Sequence, residues 1–285
     1  MSAPDYSVVI PHYNDVSRLT RCLEALMPQA TEDVEVIVAD NNSTDSLDPI
    51  RARWPGVIIA VETEKGAGPA RNKGVEAARG KWLMFIDSDC LPADDWVARG
   101  KAAADEGAII GGPVGVFHET PAPCSGAEAF ETVFAFKMKR YLEEEAFLGA
   151  GNLVLAKSAF EKTGGFRAAV AEDKEWSRRA ARTGFRLGFA DDFVCSHPSR
   201  RDWPALRHKW RRLASEDFLL WGKEARLRYA LRALLLPPSA VAHTPRVLRH
   251  PDLSSGEKLR AVFTLFRQRL FRTGVMLGQA VTGRA

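Results

Sequence analysis

The chain has 285 residues, 46% of them hydrophobic and 27% charged, which allows one substantial globular domain and an appendage. Its four cysteines are far apart and form no CxxC pair, which argues against a zinc knuckle or a disulfide scaffold and fits a reducing compartment. They are Cys22, Cys90, Cys124 and Cys195. The N-terminus shows no signal-peptide pattern, and no apolar run reaches the roughly 18 residues that span a bilayer. The sequence therefore predicts a cytoplasmic protein.

The formal net charge of +4 conceals two parts of opposite sign. From Pro198 to Ala285 there are 18 Lys and Arg against 6 Asp and Glu, which leaves 22 against 30 for residues 1–197. The basic part carries Leu, Trp and Phe at helical spacing and no nucleic-acid-binding signature. We therefore expect a catalytic domain over residues 1–200 and a basic helical extension over residues 201–285. The extension is expected to dock on a membrane surface or a partner, and nucleic acid is not an expected partner.

The first half alternates short β-rich runs with amphipathic stretches, which is typical of parallel strands joined by helical crossovers. Strands are predicted at Tyr6–Ile10, Val34–Ala39, Val57–Val61 and Trp82–Ile86. Helices are predicted near Val16–Leu26, Leu47–Trp54, Pro69–Arg79 and Asp94–Ala104. The expected fold class is α/β, with a doubly wound and mostly parallel sheet.

The second half has a different pattern, which favours mixed or antiparallel pairing. A glycine-interrupted strand is predicted at Ala108–Phe117, an amphipathic helix at Ser125–Leu142, and a strand at Leu153–Leu155 after a tight turn. A helix is expected near Lys174–Thr183, followed by a strand pair, Leu187–Ala190 and Phe193–Cys195. From Asp202 onward the pattern is helical.

Polar clusters follow three of the predicted strands. They are Pro11–Asn14, Asp40–Asp45 and Asp87–Asp89. Ligands of open α/β sheets bind at the carboxyl ends of the strands, so the three clusters predict one pocket. Asp87 and Asp89 are two residues apart and project to the same side, where they can share one cation or a cation-bound phosphate. The alternative for this pair is an acidic turn that caps the next helix.

The segment Gly66–Gly74 looks like a dinucleotide-binding loop, but Arg71 replaces the third glycine of GxGxxG. What remains is a helix N-terminus with a guanidinium, which suits a phosphate or the polar edge of a nucleotide. A surface Arg on an amphipathic helix is the alternative. Asp40 ends its strand where a carboxylate could accept from a base N–H, and Tyr13 could stack on the ring. The alternative for the Asp40 cluster is an Asx-turn and helix cap.

Two further candidates lie in the second half. Glu172 and Asp173 sit at a predicted helix N-terminus after a glycine-rich turn, and a solvated helix start is the alternative. His197 is a single imidazole at a strand end, where it could ligate a metal with Asp89 or act as a cap or packed residue.

Seven motifs in order resemble the family 2 glycosyltransferases with the GT-A fold, over about residues 6 to 198. They are Val8–Asn14, Asp40–Asp45, Ala70–Gly74, Asp87–Asp89, Gly149–Asn152, Gly164–Phe166 and Glu172–Asp173. Two positions depart from the family's common pattern. His12 stands where many relatives carry a small polar residue, and Asn42 replaces a frequent glycine, which puts the base preference in doubt.

The resemblance implies a role for each candidate side chain. Asp40 and Arg71 would contact the nucleotide, Asp87 the ribose, Asp89 a divalent metal on the diphosphate, and Asp173 would be the catalytic base. The other implied site residues are Glu172 beside the base, His197 on the metal, and Pro11, Tyr13 and Ser88 on the nucleotide.

The implied enzyme is inverting and depends on Mg²⁺ or Mn²⁺. It would move a sugar from a nucleoside-diphosphate sugar, UDP favoured over GDP, to a hydroxyl of a glycan, lipid-linked or other glycoconjugate acceptor. Two alternatives remain from the residues: a nucleotidyltransferase, and a non-catalytic nucleotide-binding membrane scaffold.

The basic extension lies outside the resemblance. Near its end, apolar side chains fall at helical spacing among arginines, which predicts an amphipathic helix resting on anionic lipid. The apolar residues are Leu259, Val262, Phe263, Phe266, Leu270 and Phe271, and the arginines are Arg260, Arg267, Arg269 and Arg272. The alternative is a helix that packs on the core or at a dimer contact. If the helix rests on lipid, it is expected to lie at the inner face of the cell membrane.

Overall fold

The computed structural model describes residues 3–167, 171–221 and 225–284. By their contacts these residues form two compact units. Unit 1 is the chain up to Gly115 together with Phe136–His197, and unit 2 is Val116–Ala135 together with the chain from Pro198 onward. Each unit therefore consists of two separate segments of the chain, and the domain boundary near residue 200 stays a prediction.

The strands form a seven-stranded and a three-stranded sheet. In chain order they are β1 Tyr6–His12, β2 Val34–Asp40, β3 Ile58–Val61, β4 Trp82–Ile86, β5 Leu91–Pro92, β6 Ala108–Gly111, β7 Val114–Phe117, β8 Asn152–Ala156, β9 Arg186–Phe189 and β10 Cys195–Pro198. The large sheet has the order β3-β2-β1-β4-β8-β6-β9, and the small one β5-β10-β7.

Helices of unit 1 cover the large sheet. They are α1 Val16–Leu26, α2 Asp48–Arg53, α3 Ala67–Ala77, α4 Trp96–Ala103, α6 Met138–Glu145, α7 Lys157–Thr163 and α8 Glu172–Arg182, with a 3-10 turn at Met27–Gln29. Unit 2 contains α5 Gly126–Phe134, α9 Trp203–Trp221, α10 Arg226–Leu234, α11 Leu236–Leu248 and α12 Ser255–Thr282. Among the described residues, no helix has the length and apolar character needed to cross a membrane.

The predicted parallel core is confirmed. β1 pairs in parallel with β2 and β4, and β2 pairs in parallel with β3. Successive residues of β1 enter two core layers, since Val8 and Ile10 pack on one face of the sheet and Val9 on the other. A strand buried on both faces explains the continuous apolar runs. Parallel pairing also brings the carboxyl ends of β1, β2 and β4 to one edge of the sheet.

Mixed pairing in the second half is also confirmed, because β8 runs antiparallel to both β4 and β6. The single strand predicted at Ala108–Phe117 is wrong: it is two strands in different sheets. The break falls at Gly112 and Pro113, and proline has no N–H to continue a ladder. The predicted final strand pair is wrong as well, since β9 pairs with β6 while β10 pairs with β5.

The single helix predicted at Ser125–Leu142 is wrong. The chain leaves the helix at Ala135, whose φ and ψ are −73° and 154°, and Phe136 then adopts a left-handed φ of +47°. A left-handed residue cannot continue a right-handed helix. The apolar periodicity continues across the break, which is why the sequence showed one helix where α5 and α6 stand.

Most of the apolar face for which the sequence predicts contact with lipid, or alternatively packing, is exposed in the last helix. In α12 the buried side chains include Ala261, Thr264, Leu265, Gln268 and Met276. Of the six predicted apolar residues, Leu259, Phe263, Phe266 and Leu270 are exposed. The helix therefore packs within unit 2 through its other side, which excludes the alternative that the predicted apolar face packs on unit 2.

Candidate active site

The first polar cluster at the edge of the large sheet is built around Asp40. The backbone N–H of Asp15 donates to His12 Nε2 at 3.2 Å, so we assign the ring proton to Nδ1, which donates to Asp40 Oδ1 at 3.0 Å. The hydroxyl of Ser43 donates to the same oxygen at 2.5 Å, and the Ser43 N–H donates to Oδ2 at 3.1 Å. His12 thus fixes the orientation of Asp40, a role that the sequence did not reveal.

Two asparagines shape the loops beside Asp40. Asn42 has a left-handed φ of +56°, a conformation that glycine adopts freely and asparagine tolerates. Asn42 therefore adopts a backbone conformation that a glycine at this position could also adopt. Asn14, also left-handed at +48°, accepts from the N–H groups of Thr44 and Asp45 and so joins the loop after β1 to the loop after β2.

Asn41 joins the end of β2 to the start of α3. Its Nδ2 donates to the carbonyls of Glu62 and Glu64 at 3.2 and 2.6 Å, and its Oδ1 accepts from Gly66 N–H at 2.8 Å. This role cannot be predicted from the sequence, because a buried amide that bonds to distant backbone has no local pattern.

Arg71 is the centre of the site. It lies in the first turns of α3, is 4% exposed, and donates to Asp87 at 2.6 Å and to Glu172 at 2.8 Å. Burial alone would lower the pKa of Arg71, but Asp87, Asp173 and Glu172 outweigh it and hold that pKa above its ordinary value. The guanidinium therefore stays charged and joins β4 to α8.

Glu172 is fixed at the N-terminus of α8. Besides Arg71 it accepts from the N–H of Gly68 at 3.0 Å. Burial raises the pKa of Glu172, repulsion from Asp173 adds to the rise, and Arg71 offsets only part of it. With both carboxylate oxygens already bonded, Glu172 is a positioning residue in this arrangement.

The turn at residues 149–151 separates Asp87 from Asp173. The N–H of Ala150 donates to Asp173 Oδ2 at 3.2 Å. At Gly151 a Cβ atom would lie 2.5 Å from Asp87 Oδ2, so any larger residue there would displace that carboxylate. The turn thus places the predicted base and the first acid of the Asp-x-Asp motif on either side of one short segment.

The glycines before α8 are held by side chains that the sequence analysis missed. Asn72 donates to the carbonyl of Phe166 and accepts from its N–H, both at 2.8 Å. Arg179 donates to the carbonyls of Gly164 and Gly165 at 3.0 and 2.8 Å. These contacts anchor the segment before residues 168–170, which are outside the described residues.

The residues after β4 can hold a divalent cation. Asp87, Asp89 and Cys90 each offer a ligand atom, and these atoms lie within 4.8 Å of one another. His197 Nε2, from β10, is 3.2 Å from Asp89 Oδ2. A hydrogen bond with Cys195 and burial raise the pKa of Cys90 well above its ordinary value, so the thiol stays neutral. The carboxylates and the imidazole fit Mg²⁺ or Mn²⁺.

Three further predicted nucleotide contacts, Pro11, Tyr13 and Ser88, lie at the ends of β1 and β4. The ring of Tyr13, just after β1, is 55% exposed, while Pro11 is buried within the strand. Ser88 is half-buried between the two acids of the motif. Their assignment to the nucleotide stays a prediction, as do the roles of Asp40, Arg71, Asp87, Asp89, Asp173 and His197.

Solved structures share this fold. A Pyrobaculum calidifontis mannosyltransferase, PcManGT, in complex with GDP-Man and Mn²⁺ superimposes with a TM-score of 0.56 at 18% identity, over 99% of this chain and 74% of that one. S. aureus TarS 1-349 in complex with UDP-GlcNAc gives 0.55 at 17% identity, over 98% and 92%. The fold is therefore the GT-A glycosyltransferase fold, with additional C-terminal helices.

Sequence comparison gives the family. The Glycosyl transferase family 2 model matches residues 7–164. Glycosyltransferase AglE of Haloferax volcanii is 29% identical over 219 residues, which is 73% of this chain and 71% of AglE. Succinoglycan biosynthesis protein ExoO of Rhizobium meliloti is 35% identical over 105 residues, only 36% of this chain and 30% of ExoO. The chain belongs to glycosyl transferase family 2 and is a glycosyltransferase.

Proposed function

We propose that the chain transfers a sugar from a nucleoside-diphosphate sugar to an acceptor hydroxyl and inverts the anomeric configuration. The observation that carries the proposal is the set of polar contacts that joins α3, β4 and α8, with Arg71 between Asp87 and Glu172 and with Asp173 next in the chain. A surface ion pair would not require a guanidinium this deeply buried between two carboxylates.

The donor's diphosphate is proposed to lie beside Asp87 and Asp89. Two like charges 4 Å apart repel by roughly 4 kcal/mol at an effective dielectric of 20, so an anionic donor needs a compensating charge there. A divalent ion held by Asp89 and His197 would supply it and would also stabilise the negative charge of the leaving diphosphate. Both Mg²⁺ and Mn²⁺ suit these ligands, and PcManGT was solved with Mn²⁺.

The base is proposed to be uracil rather than guanine, and the support comes from the partners of Asp40. Oδ1 already accepts from His12 and Ser43, whereas Oδ2 accepts only the Ser43 N–H among the bonds found for it in the described part of the chain. Uracil presents one N–H donor on its pairing edge, while guanine presents two adjacent donors. One available oxygen fits the single donor better.

Asp173 is proposed as the catalytic base. A single displacement needs one group that takes the proton of the acceptor hydroxyl while that oxygen attacks the anomeric carbon from the face opposite the diphosphate. Glu172 is already bonded to Arg71 and Gly68 N–H, so Asp173 is the member of the pair left for this step. Glycosidases need a second carboxyl to protonate the departing oxygen, but a diphosphate leaves as an anion.

The acceptor is proposed to be a glycan, lipid-linked or other glycoconjugate hydroxyl, reached by a cytoplasmic enzyme at the inner face of the cell membrane. The support is the basic balance of the chain from Pro198 onward, 18 Lys and Arg against 6 Asp and Glu, and the large apolar side chains exposed on unit 2. Cationic surfaces with apolar side chains are typical of proteins that bind anionic membranes.

The test is the Asp173→Asn variant. We expect sugar transfer to fall by about 10²- to 10⁴-fold, the usual contribution of a general base, while the affinity for UDP in the presence of Mn²⁺ changes little. Asp191→Asn is the matched control, because Asp191 is an exposed acid of unit 1 that pairs with Lys139 at the surface. Full turnover by Asp173→Asn would refute the assigned base.

A further inference from the structure

Helix α12 carries apolar side chains on two opposite faces. One face packs against α5, α9, α10 and α11 of the same unit. The other face is formed by Leu259, Phe263, Phe266, Leu270 and Val281, which we call the outer stripe. Its members are separated by 4, 3, 4 and 11 residues, and at 3.6 residues per turn this spacing places them on one side of the helix. Their exposed fractions are 71, 67, 37, 61 and 83%.

This exposure is not a general property of the molecule. Among the described residues, the large apolar side chains exposed in unit 1 are Tyr13 and Val61, whereas the others all lie in unit 2. Contiguous exposed apolar surface of this kind usually marks an interaction site. The outer stripe is therefore a candidate interaction surface.

The exposed charges that α12 itself places beside the outer stripe are positive. Helix α12 contains five Lys and Arg and a single acid, Glu257. Glu257 is occupied in the capping box with Ser254, where it accepts from the Ser254 N–H at 2.8 Å. Arg260 and Arg267 follow Leu259 and Phe266 directly and are exposed along the stripe. Neither has a carboxylate within ion-pair distance in the part of the chain that the structure describes.

A pocket of about 630 Å³ opens beside the N-terminal half of the outer stripe. Its lining combines cationic and apolar side chains of unit 2, and we call it the arginine pocket. The lining residues used here are Arg201, Arg260, Arg267, Trp203, Leu259 and Phe263. The guanidinium of Arg267 lies 4.1 Å from the centre of the Trp203 ring, which fixes this side chain at the pocket wall. One acid, Asp202, also lines the pocket.

Charge decides between the two occupants that such a helix can have. The alternating spacing of Leu259, Phe263, Phe266 and Leu270 would also suit a coiled coil with a second copy of the chain. That pairing would bring Arg260 and Arg267 of both copies to the same seam, with no acid of α12 to neutralise them. An anionic lipid surface offers the opposite charge to the arginines and an apolar layer to the stripe.

We propose that the outer stripe docks on an anionic phospholipid bilayer. The helix lies in the plane of the interface, with Phe263, Phe266 and the leucines at the boundary of the acyl chains. Arg260 and Arg267, together with Arg201 of the arginine pocket, bind lipid phosphates. This inference rests on the proposed action at a membrane surface, and it names the surface that makes the contact and the lipid charge that it requires.

The experiment is co-sedimentation of the full chain with vesicles. Wild type is expected to bind vesicles of phosphatidylglycerol mixed with phosphatidylcholine, to bind phosphatidylcholine alone far less, and to lose binding as salt rises. Phe263→Glu should weaken binding by at least about tenfold, and Arg260→Gln or Arg267→Gln by about fivefold each. Val61→Glu, an equivalent substitution on unit 1, is the matched control and should bind as wild type does. Equal melting temperatures confirm that each variant is folded.

Three results would overturn the inference. Wild type could fail to bind the anionic vesicles, or Phe263→Glu could bind them as well as Val61→Glu does. Sedimentation equilibrium could instead show a homodimer that Phe263→Glu converts to a monomer, which would assign the stripe to a second copy. Since no arm of this experiment uses sugar transfer, its failure would leave the proposed reaction untouched.

Discussion

The two units differ in the large side chains that they expose. Unit 1 buries its apolar strands on both faces of the sheet and holds the polar side chains of its candidate site at one edge, where Arg71, Asp87 and Glu172 bond to one another. Unit 2 buries polar side chains such as Glu131 and Gln268 and exposes Leu259 and Phe263. Unit 1 therefore holds the candidate active site within its fold, whereas unit 2 carries most of the exposed large apolar side chains of the described residues.

The largest predicted effect is the loss of stability on breaking the buried ion pair of unit 2. Glu131 on α5 bonds to Lys209 Nζ on α9 and accepts from the N–H of Arg200 at 2.7 Å, and its side chain is 2% exposed. Removing one partner leaves a buried charge uncompensated, so Glu131→Gln should destabilise the protein by about 3–5 kcal/mol. Denaturant unfolding of the variant measures the loss. Glu216→Gln is the control, because it breaks an exposed pair with Arg212 on the same helix, which is worth about 0.3–0.5 kcal/mol.

The destabilisation caused by Glu131→Gln should depend on pH, because the pKa of Glu131 is lowered in the folded protein. Burial alone would raise the pKa of Glu131, but Lys209 and Arg200 outweigh it and hold that pKa below 4.5. A carboxyl whose pKa is lowered by folding stabilises the protein at pH values above its pKa in the unfolded state. This stabilisation is lost as the pH falls through its pKa in the folded state. The difference in free energy of unfolding between wild type and Glu131→Gln should therefore be largest at neutral pH and decrease below pH 4.5. A difference that does not change with pH would contradict the ion pair.

A smaller effect, on rate rather than stability, is expected at the turn of unit 1. In Gly151→Ala the new methyl group would lie 2.5 Å from Asp87 Oδ2, so the carboxylate must move. Misplacing a carboxylate in an active site is expected to lower the rate by about 100-fold, which a transfer assay with a saturating donor would measure. Gly149→Ala is the matched control, because its methyl group would meet the flexible end of Met138 at 3.2 Å and should leave the rate near wild type. Equal rates for the two variants would contradict the assignment of Asp87 to the active site.

The sequence predicted unit 1 well because its local patterns coincide with its burial. The strand Trp82–Ile86 and the helix Val16–Leu26 have the predicted bounds, and the polar clusters of β1, β2 and β4 meet at one edge as expected. What the sequence could not show are side chains that bond to distant backbone. Asn41 and Asn72 hold loops far from themselves in the chain, and nothing in their immediate neighbours signals it.

Unit 2 was predicted less well, for a different reason. Helix α12 has apolar residues on both faces, so periodicity alone cannot tell which face packs. The small and polar side chains of Ala261, Thr264 and Gln268 allow close approach of neighbouring helices and are buried, while the larger Phe263 and Leu270 point outward. Phe136, which belongs to unit 1, shows a separate limit, because nothing in the sequence around this bulky residue indicates that the helix ends there.

The central claim is that a divalent cation held by Asp89 tethers the donor's diphosphate at the edge of the large sheet. Calorimetric titration of UDP into the protein, with Mn²⁺ and then with a chelator, tests it most directly. We expect binding with Mn²⁺ that the chelator abolishes and that Asp89→Ala loses, while Asp48→Asn, at an exposed surface pair with Arg51, binds as wild type does. UDP binding of equal strength in the chelator, or full Mn²⁺-dependent binding by Asp89→Ala, would contradict the account.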